Sequence, residues 1–371
     1  MRVLSVFGTR PEAIKMAPIV RRLEAMPGIT SLVCVTAQHR QMLDQVLDLF
    51  AIRPDRDLDL MRAGQGLTYI TTAVLERIGA VFEELRPDRV LVQGDTTTTF
   101  AAALAAFYAK IPVAHVEAGL RTGNVHSPWP EEMNRRLTTG LADLHFPPTE
   151  QSRRNLLAEG VDPKRIKVTG NTVIDALLDA LAILDADPVR AASVERQLPP
   201  PMAGKRLILV TGHRRENFDG GLERVASGLL RLADRGDVEI VYPVHLNPNV
   251  QEVAQAMLAA HPAIRLIAPL DYLPFVALMR RADLIVTDSG GVQEEAPSLG
   301  KPVLVTRDTT ERPEAVEAGT VMLVGTDADL LVSRASRLLD DRTAYEAMSF
   351  AHNPYGDGKA AGRIVERLLN G

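Results

Sequence analysis

Several familiar chemical signatures are missing from this chain of 371 residues. Cys34 is its one cysteine, so an internal disulfide is excluded. It lies in the apolar run Leu32-Val33-Cys34-Val35 and reads as a small buried hydrophobe rather than a reactive thiol. The eight histidines form no H-E-x-x-H and have no cysteine partners, so no metal is expected. No G-x-G-x-x-G occurs, because Gly64-Gln65-Gly66 runs into Leu67-Thr68-Tyr69. No P-loop occurs either, because Gly300-Lys301 is followed by Pro302. Nicotinamide and ATP chemistry are therefore disfavoured. A serine hydrolase is disfavoured too, for want of a G-x-S-x-G elbow. The net charge of −5 provides no basic field for nucleic acid, so an anionic ligand would need local Arg and Lys. The apolar run 100–109 is too short to span a bilayer. Thr9-Arg10-Pro11-Glu12 interrupts the first apolar stretch, so no signal peptide is expected. A cytoplasmic enzyme or binding protein remains.

What is present is α/β alternation. Apolar strands read at 2–7, 31–36, 88–93, 112–116 and 143–146, and helices at 11–25, 39–50, 68–85, 96–108, 131–141 and 149–158. Val90-Leu91-Val92 and its like are apolar on both faces, as in a parallel sheet covered by helices. Residues 184–205, rich in Asp, Pro and Ala, read as a break. Strands then resume at 206–210, 238–242, 264–268, 283–287, 302–306 and 320–324. Helices resume at 221–235, 248–260, 273–281, 291–299, 327–340, 343–349 and 358–369. Two doubly wound α/β domains are expected, joined between 168 and 205, with an active-site cleft between them.

Polar residues gather where strands give way to helices. Gly8-Thr9-Arg10 closes the first strand, and a turn, an Arg and a helix start form an anion site. Asp288-Ser289-Gly290-Gly291 follows Leu284-Ile285-Val286, and its glycines allow close approach of backbone to a phosphate. Glu295, one turn later, suits a ribose diol, although Asp288 or Ser289 could simply cap the helix. Asp95 is equally readable as a cap or as a catalytic acid, whereas Glu117, directly after Val113-Ala114-His115-Val116, has less structural excuse. Glu131 and Glu132 suit a helix start at Pro130 and become catalytic only beside Asp95 and Glu117. His213-Arg214-Arg215 suits an anionic ligand or ordinary loop charges, and Arg312 a phosphate or nearby acids. Phe275 could stack a base, and Trp129 anchors or lids its loop.

Taken together, these segments resemble the non-hydrolysing UDP-N-acetylglucosamine 2-epimerases. The resemblance rests on Phe7-Gly8-Thr9-Arg10-Pro11-Glu12, Gln93-Gly94-Asp95-Thr96, His115-Val116-Glu117-Ala118-Gly119 and Pro130-Glu131-Glu132-Met133-Asn134-Arg135. It continues through Thr211-Gly212-His213-Arg214, Asp288 to Glu295, Arg307 to Glu314 and Asn353-Pro354-Tyr355-Gly356-Asp357-Gly358. It implies a GT-B-like fold, with domains at 1–168 (joined by 353–371) and 169–352. It implies a homodimer and reversible conversion of UDP-GlcNAc to UDP-ManNAc, with no cofactor.

The family's substrate contacts fall on Arg10, Lys15, Asp95, Glu117, His213, Phe275, Ser289, Gly290, Gly291, Glu295 and Arg312. Its proton-transfer groups fall on Asp95, Glu117 and Glu131, with His213 beside the leaving diphosphate. Leu270 stands where the family often has Gln, which removes a side-chain hydrogen bond to uracil. Gln38, His39, Gln41 and His245 match a regulatory second UDP-GlcNAc site in some relatives, but Gly64 replaces an expected Arg. A hydrolysing relative, an epimerase for a modified UDP-GlcNAc, a GT-B glycosyltransferase and a silent UDP-sugar sensor are the alternatives.

Overall fold

Short runs rich in Val, Leu and Ile build the major strands, and almost all of their side chains are buried. The computed structural model describes residues 1–36, 40–60, 62 and 64–370, those at 40 and 41 by backbone alone. The first sheet comprises β1 (Arg2–Phe7), β2 (Thr30–Val35), β3 (Arg56–Asp57), β4 (Arg89–Gln93), β5 (Val113–Val116) and β6 (Leu144–Phe146). Its order is β3-β2-β1-β4-β5-β6, with parallel pairings throughout.

The second sheet comprises β7 (Arg206–Thr211), β8 (Val238–Pro243), β9 (Ile264–Ile267), β10 (Leu284–Thr287), β11 (Val303–Val305) and β12 (Val321–Leu323). Its order, β12-β11-β10-β7-β8-β9, is the same winding read from the other edge, again parallel. In each sheet the chain reverses its direction of travel between the first and fourth strands. The switch points are therefore β1/β4 and β7/β10, the crevices where such sheets bind ligands.

The chain divides into Met1–Ala176 with Tyr355–Gly371, and Leu177–Pro354. The division falls inside helix Thr172–Ala186. The expected break at 184–205 is also partly helical. Asp187 accepts from Arg190 N at 2.9 Å and Pro188 opens helix Pro188–Glu195, so Asp-Pro marks a helix start there. Sequence reading also missed β3, a pair of charged residues with no apolar signal.

The core of the first unit includes Leu4, Val6, Cys34, Val90 and Val92; that of the second includes Ile208, Val210, Ile240, Leu284 and Val286. Burial pushes the Cys34 thiol up to about 12, as befits a core residue. Asp175 caps the last helix, Ala360–Leu369, by accepting from Ala360 N (3.1 Å) and Ala361 N (2.9 Å). Among the described residues, no helix is long and apolar enough to cross a membrane.

Candidate active site

Helix Arg10–Glu24 starts one residue earlier than expected, after Thr9. Thr9 and Glu12 form a capping box, in which Glu12 Oε2 accepts from Gly8 N at 3.0 Å and Thr9 N at 2.8 Å. This sets Arg10, half-buried, at the first position of the helix and Lys15 one turn further on.

At the neighbouring strand end, Thr96 rather than Asp95 caps helix Thr97–Tyr108, its Oγ1 accepting from Thr99 N at 3.1 Å. Asp95 is thereby released from capping. Arg135 NH1 donates to its Oδ2 at 2.7 Å, and Asn134 Nδ2 to its main-chain carbonyl at 2.9 Å. Arg135 also pairs with Glu132 at 3.2 Å. Both donors lie on helix Glu131–Leu141, so Asp95 is tied to the helix that Glu131 opens. One oxygen of Glu131, Oε2, is buried without a hydrogen-bond partner among the described residues.

Glu117 is the most constrained of the acids. It is 7% exposed, and its backbone is left-handed, with φ +62°. A non-glycine residue in that region is strained, and such strain gathers at functional sites. Lys15 Nζ and Gln93 Nε2 each approach Glu117 Oε2 at 2.5 Å. Lys15, a substrate contact by the resemblance, thus also pairs with Glu117. The imidazole of His115, fully buried, lies 2.7 Å through Nε2 from Gly94 O. Burial pushes this ring down to about 3, so it is neutral and donates to the carbonyl.

The second unit presents its own group at β7/β10. Asp288, fully buried, caps no helix; its Oδ2 accepts from His213 N and Arg214 N, each at 2.8 Å. His213 Nδ1 lies 3.2 Å from Asp288 Oδ1, and its ring stacks on His245 at 5.2 Å. Burial pushes Asp288 upward, but His213 and the two backbone donors outweigh it and hold the carboxyl below its ordinary value. Ser289 occupies the N-cap position of helix Gly290–Glu295 without making a side-chain capping bond. The Arg312 guanidinium lies over Gly290, where a Cβ would come within 2.6 Å of it, and its Nε donates to Glu294 at 2.8 Å. Tyr272 donates to Glu295 Oε1 at 2.8 Å in a buried contact. Gly291 is the second helical residue after Ser289; Leu270 precedes helix Tyr272–Arg281 and Phe275 lies in its first turn, both half-buried.

In the first unit Arg10, Asp95 and Glu117 follow strands, Lys15 meets Glu117, and Glu131 opens the helix tied to Asp95; in the second His213, Ser289, Gly290 and Gly291 follow strands, Glu295 ends the short helix and Arg312 lies over Gly290. Gln38, His39 and the side chain of Gln41 lie outside the described residues. Sequence reasoning assigned no role to Glu12, Gln93, Asn134, Arg135 or Tyr272. Only Glu12 carried a local signal, as the acid three residues after Thr9.

A family model described as UDP-N-acetylglucosamine 2-epimerase matches residues 21–369. The chain is 59% identical to UDP-N-acetylglucosamine 2-epimerase of Escherichia coli K12, over 100% of this chain and 99% of that one. It is similar to the crystal structure of UDP-GlcNAc 2-epimerase from Neisseria meningitidis bound to UDP-GlcNAc, with 53% identity, full coverage of both chains and a TM-score of 0.93. The Methanocaldococcus jannaschii UDP-GlcNAc 2-epimerase in complex with UDP-GlcNAc and UDP aligns over 100% of both chains, with 35% identity and a TM-score of 0.83. The fold class is GT-B-like, two Rossmann-like units in one chain. The chain belongs to the UDP-N-acetylglucosamine 2-epimerase family.

Proposed function

We propose that this protein is an isomerase that interconverts UDP-GlcNAc and UDP-ManNAc by inverting C2 of the sugar. The observation that carries this reading is Glu117, a buried carboxylate held in left-handed backbone beside Lys15 at a strand end. Such a group is costly to build and suits a proton-transfer task.

The chemistry accounts for the residue types at both strand-end groups. The C2 hydrogen is not adjacent to a carbonyl, so simple abstraction yields no stabilised carbanion. Elimination avoids the problem: a base removes the C2 proton, the C1–O bond breaks, and UDP leaves with the bonding pair. The resulting 2-acetamidoglucal stays bound. UDP then adds back at C1 as C2 takes a proton on its opposite face. Asp95, Glu117 and Glu131 are the proton-transfer groups. Lys15 and Gln93 orient Glu117, and Arg135 orients Asp95.

Arg10, His213 and Arg312 hold the diphosphate, whose charge grows as it departs. Gly290 and Gly291 offer helix N–H groups to the same anion, and Ser289 its hydroxyl. Glu295 takes the ribose diol, and Leu270 and Phe275 lie beside the base. The reading also carries a homodimer acting in the cytoplasm and supplying ManNAc units for cell-surface polysaccharide. Phe107 (58% exposed) and Tyr108 (70% exposed) at the end of helix Thr97–Tyr108 favour a partner surface.

The test is incubation of the protein with UDP-GlcNAc in D2O, followed by NMR. UDP-ManNAc and deuterium at C2 are expected. Recovery of unlabelled UDP-GlcNAc alone would overturn the reading.

A further inference from the structure

Glu12 is buried to 2% exposure, and both of its oxygens are engaged. Oε2 closes the capping box with Gly8 N and Thr9 N. An ordinary capping box needs no more than this. Oε1 instead reaches the end of another strand, where it accepts from Thr96 Oγ1 at 2.7 Å and lies 3.2 Å from Thr99 Oγ1. Those partners are 84 and 87 residues away in sequence. One carboxylate therefore bridges the turn after β1 and the turn after β4, across the switch point of the first sheet.

We propose that Glu12 is a positioning residue for the epimerisation, fixing the turn that carries Arg10 against the turn that carries Asp95. This rests on the function proposed above. Arg10 directly follows Thr9, and Asp95 directly precedes Thr96. The clamp also leads toward Glu117. Thr99 Oγ1 donates to Gln93 O at 2.6 Å, and the Gln93 side chain donates to Glu117. Thr99 has a single hydroxyl proton, which the shorter contact to Gln93 engages. The proton of Thr96 is then the one that holds Glu12. Glu12 touches no substrate atom in this scheme; it acts through the neighbours of residues that do.

The clamp separates from a mere fold requirement because glutamine can rebuild it. In E12Q the amide oxygen accepts from Gly8 N and Thr9 N, and the amide nitrogen donates to Thr96 and Thr99 hydroxyl oxygens. Alanine offers neither.

The experiment measures kcat of wild type, E12Q and E12A with UDP-GlcNAc, each per UDP-binding site titrated calorimetrically. Wild-type turnover is the control for the underlying reading; its absence would remove the function rather than the clamp. With wild type active, E12A is expected to lose about 100-fold in kcat per site, the scale of an ångström misplacement of reacting groups. E12Q is expected to recover most of that loss. A purely structural role would lower the number of UDP-binding sites and leave kcat per site unchanged, which would overturn the proposal. Thr96→Ala breaks the clamp from its far side. Combined with E12A, it should add little to the single loss, and multiplying losses would also overturn the proposal. If E12A yields no folded protein, kcat per site of Thr96→Ala decides, and an unchanged value counts against the clamp.

Discussion

Lys15 and Glu117, 102 residues apart in sequence, meet at 2.5 Å between Nζ and Oε2, and Gln93 donates to the same oxygen. Two donors on one oxygen fix the rotation of the carboxylate, while the left-handed backbone fixes where it starts. Glu117→Gln keeps the shape and the Gln93 contact but cannot carry a proton. Turnover should fall by about 100- to 10,000-fold, the usual worth of a general acid or base, with UDP affinity changed little. Steady-state kinetics beside UDP calorimetry would show it; an unchanged kcat would remove Glu117 from the proton path.

Stability should depend on pH through His115 and His145. Burial pushes the first ring down to about 3 and the second to about 4, from an ordinary value of 6.5. Below 6.5 the unfolded chain takes up protons that the folded chain refuses. The contribution is therefore complete above 6.5 and is lost as pH falls toward the folded values. His115→Gln keeps a donor for Gly94 O but does not titrate. Its stability should fall less steeply between pH 6 and 4, by about 1.4 kcal/mol per pH unit at most. Urea midpoints at several pH values test this, and parallel curves for the two proteins would refute it.

Two glycines should respond to alanine in different ways. At Gly290 the atoms nearest the new Cβ are the flexible end of Arg312, at 2.6 Å. The protein should fold, but Arg312 should shift and UDP affinity should drop roughly tenfold, as for loss of one charge-assisted hydrogen bond. At Gly119 φ is +86° and the Cβ would lie 2.3 Å from the main-chain oxygen of Ser152. That neighbour cannot swing aside, so Gly119→Ala should cost more than about 1 kcal/mol of stability. Calorimetric UDP titration and thermal melts distinguish the two outcomes.

Tyr272→Phe should act on the nucleotide rather than on the sugar. The change deletes the hydroxyl that donates to Glu295 at 2.8 Å and leaves the packing in place. If Glu295 holds the ribose, KM should rise several-fold with kcat nearly constant, the pattern of lost uniform binding. A fall in kcat at constant KM would contradict that role.

The strands were legible because a parallel strand covered on both faces must be apolar along its length, as in Leu207 to Val210. β3 was not, because Arg56 and Asp57 pair with β2 as charged residues, a pattern without a hydrophobic signature. The Asp-Ala-Asp-Pro run looked like a linker because Asp and Pro favour turns and helix starts alike. The strand-end residues stood out for chemical type: His213, Gly290 and Glu117 are odd choices beside buried strands. Their partners did not. Arg135 reaches Asp95 across 40 residues and Tyr272 reaches Glu295 across 23, and such pairings follow from sheet order rather than local pattern.

The capping of helix Ala360–Leu369 by Asp175 has a consequence for biosynthesis. The unit that holds the earliest strands also includes a segment translated after the whole of the other unit, Tyr355–Gly371. The contiguous unit, Leu177–Pro354, has all its residues beforehand. As the ribosome delivers the chain from its N-terminus, the second unit can close first, while the first waits with the floor of its final helix uncovered. Order of completion is thereby uncoupled from order of synthesis.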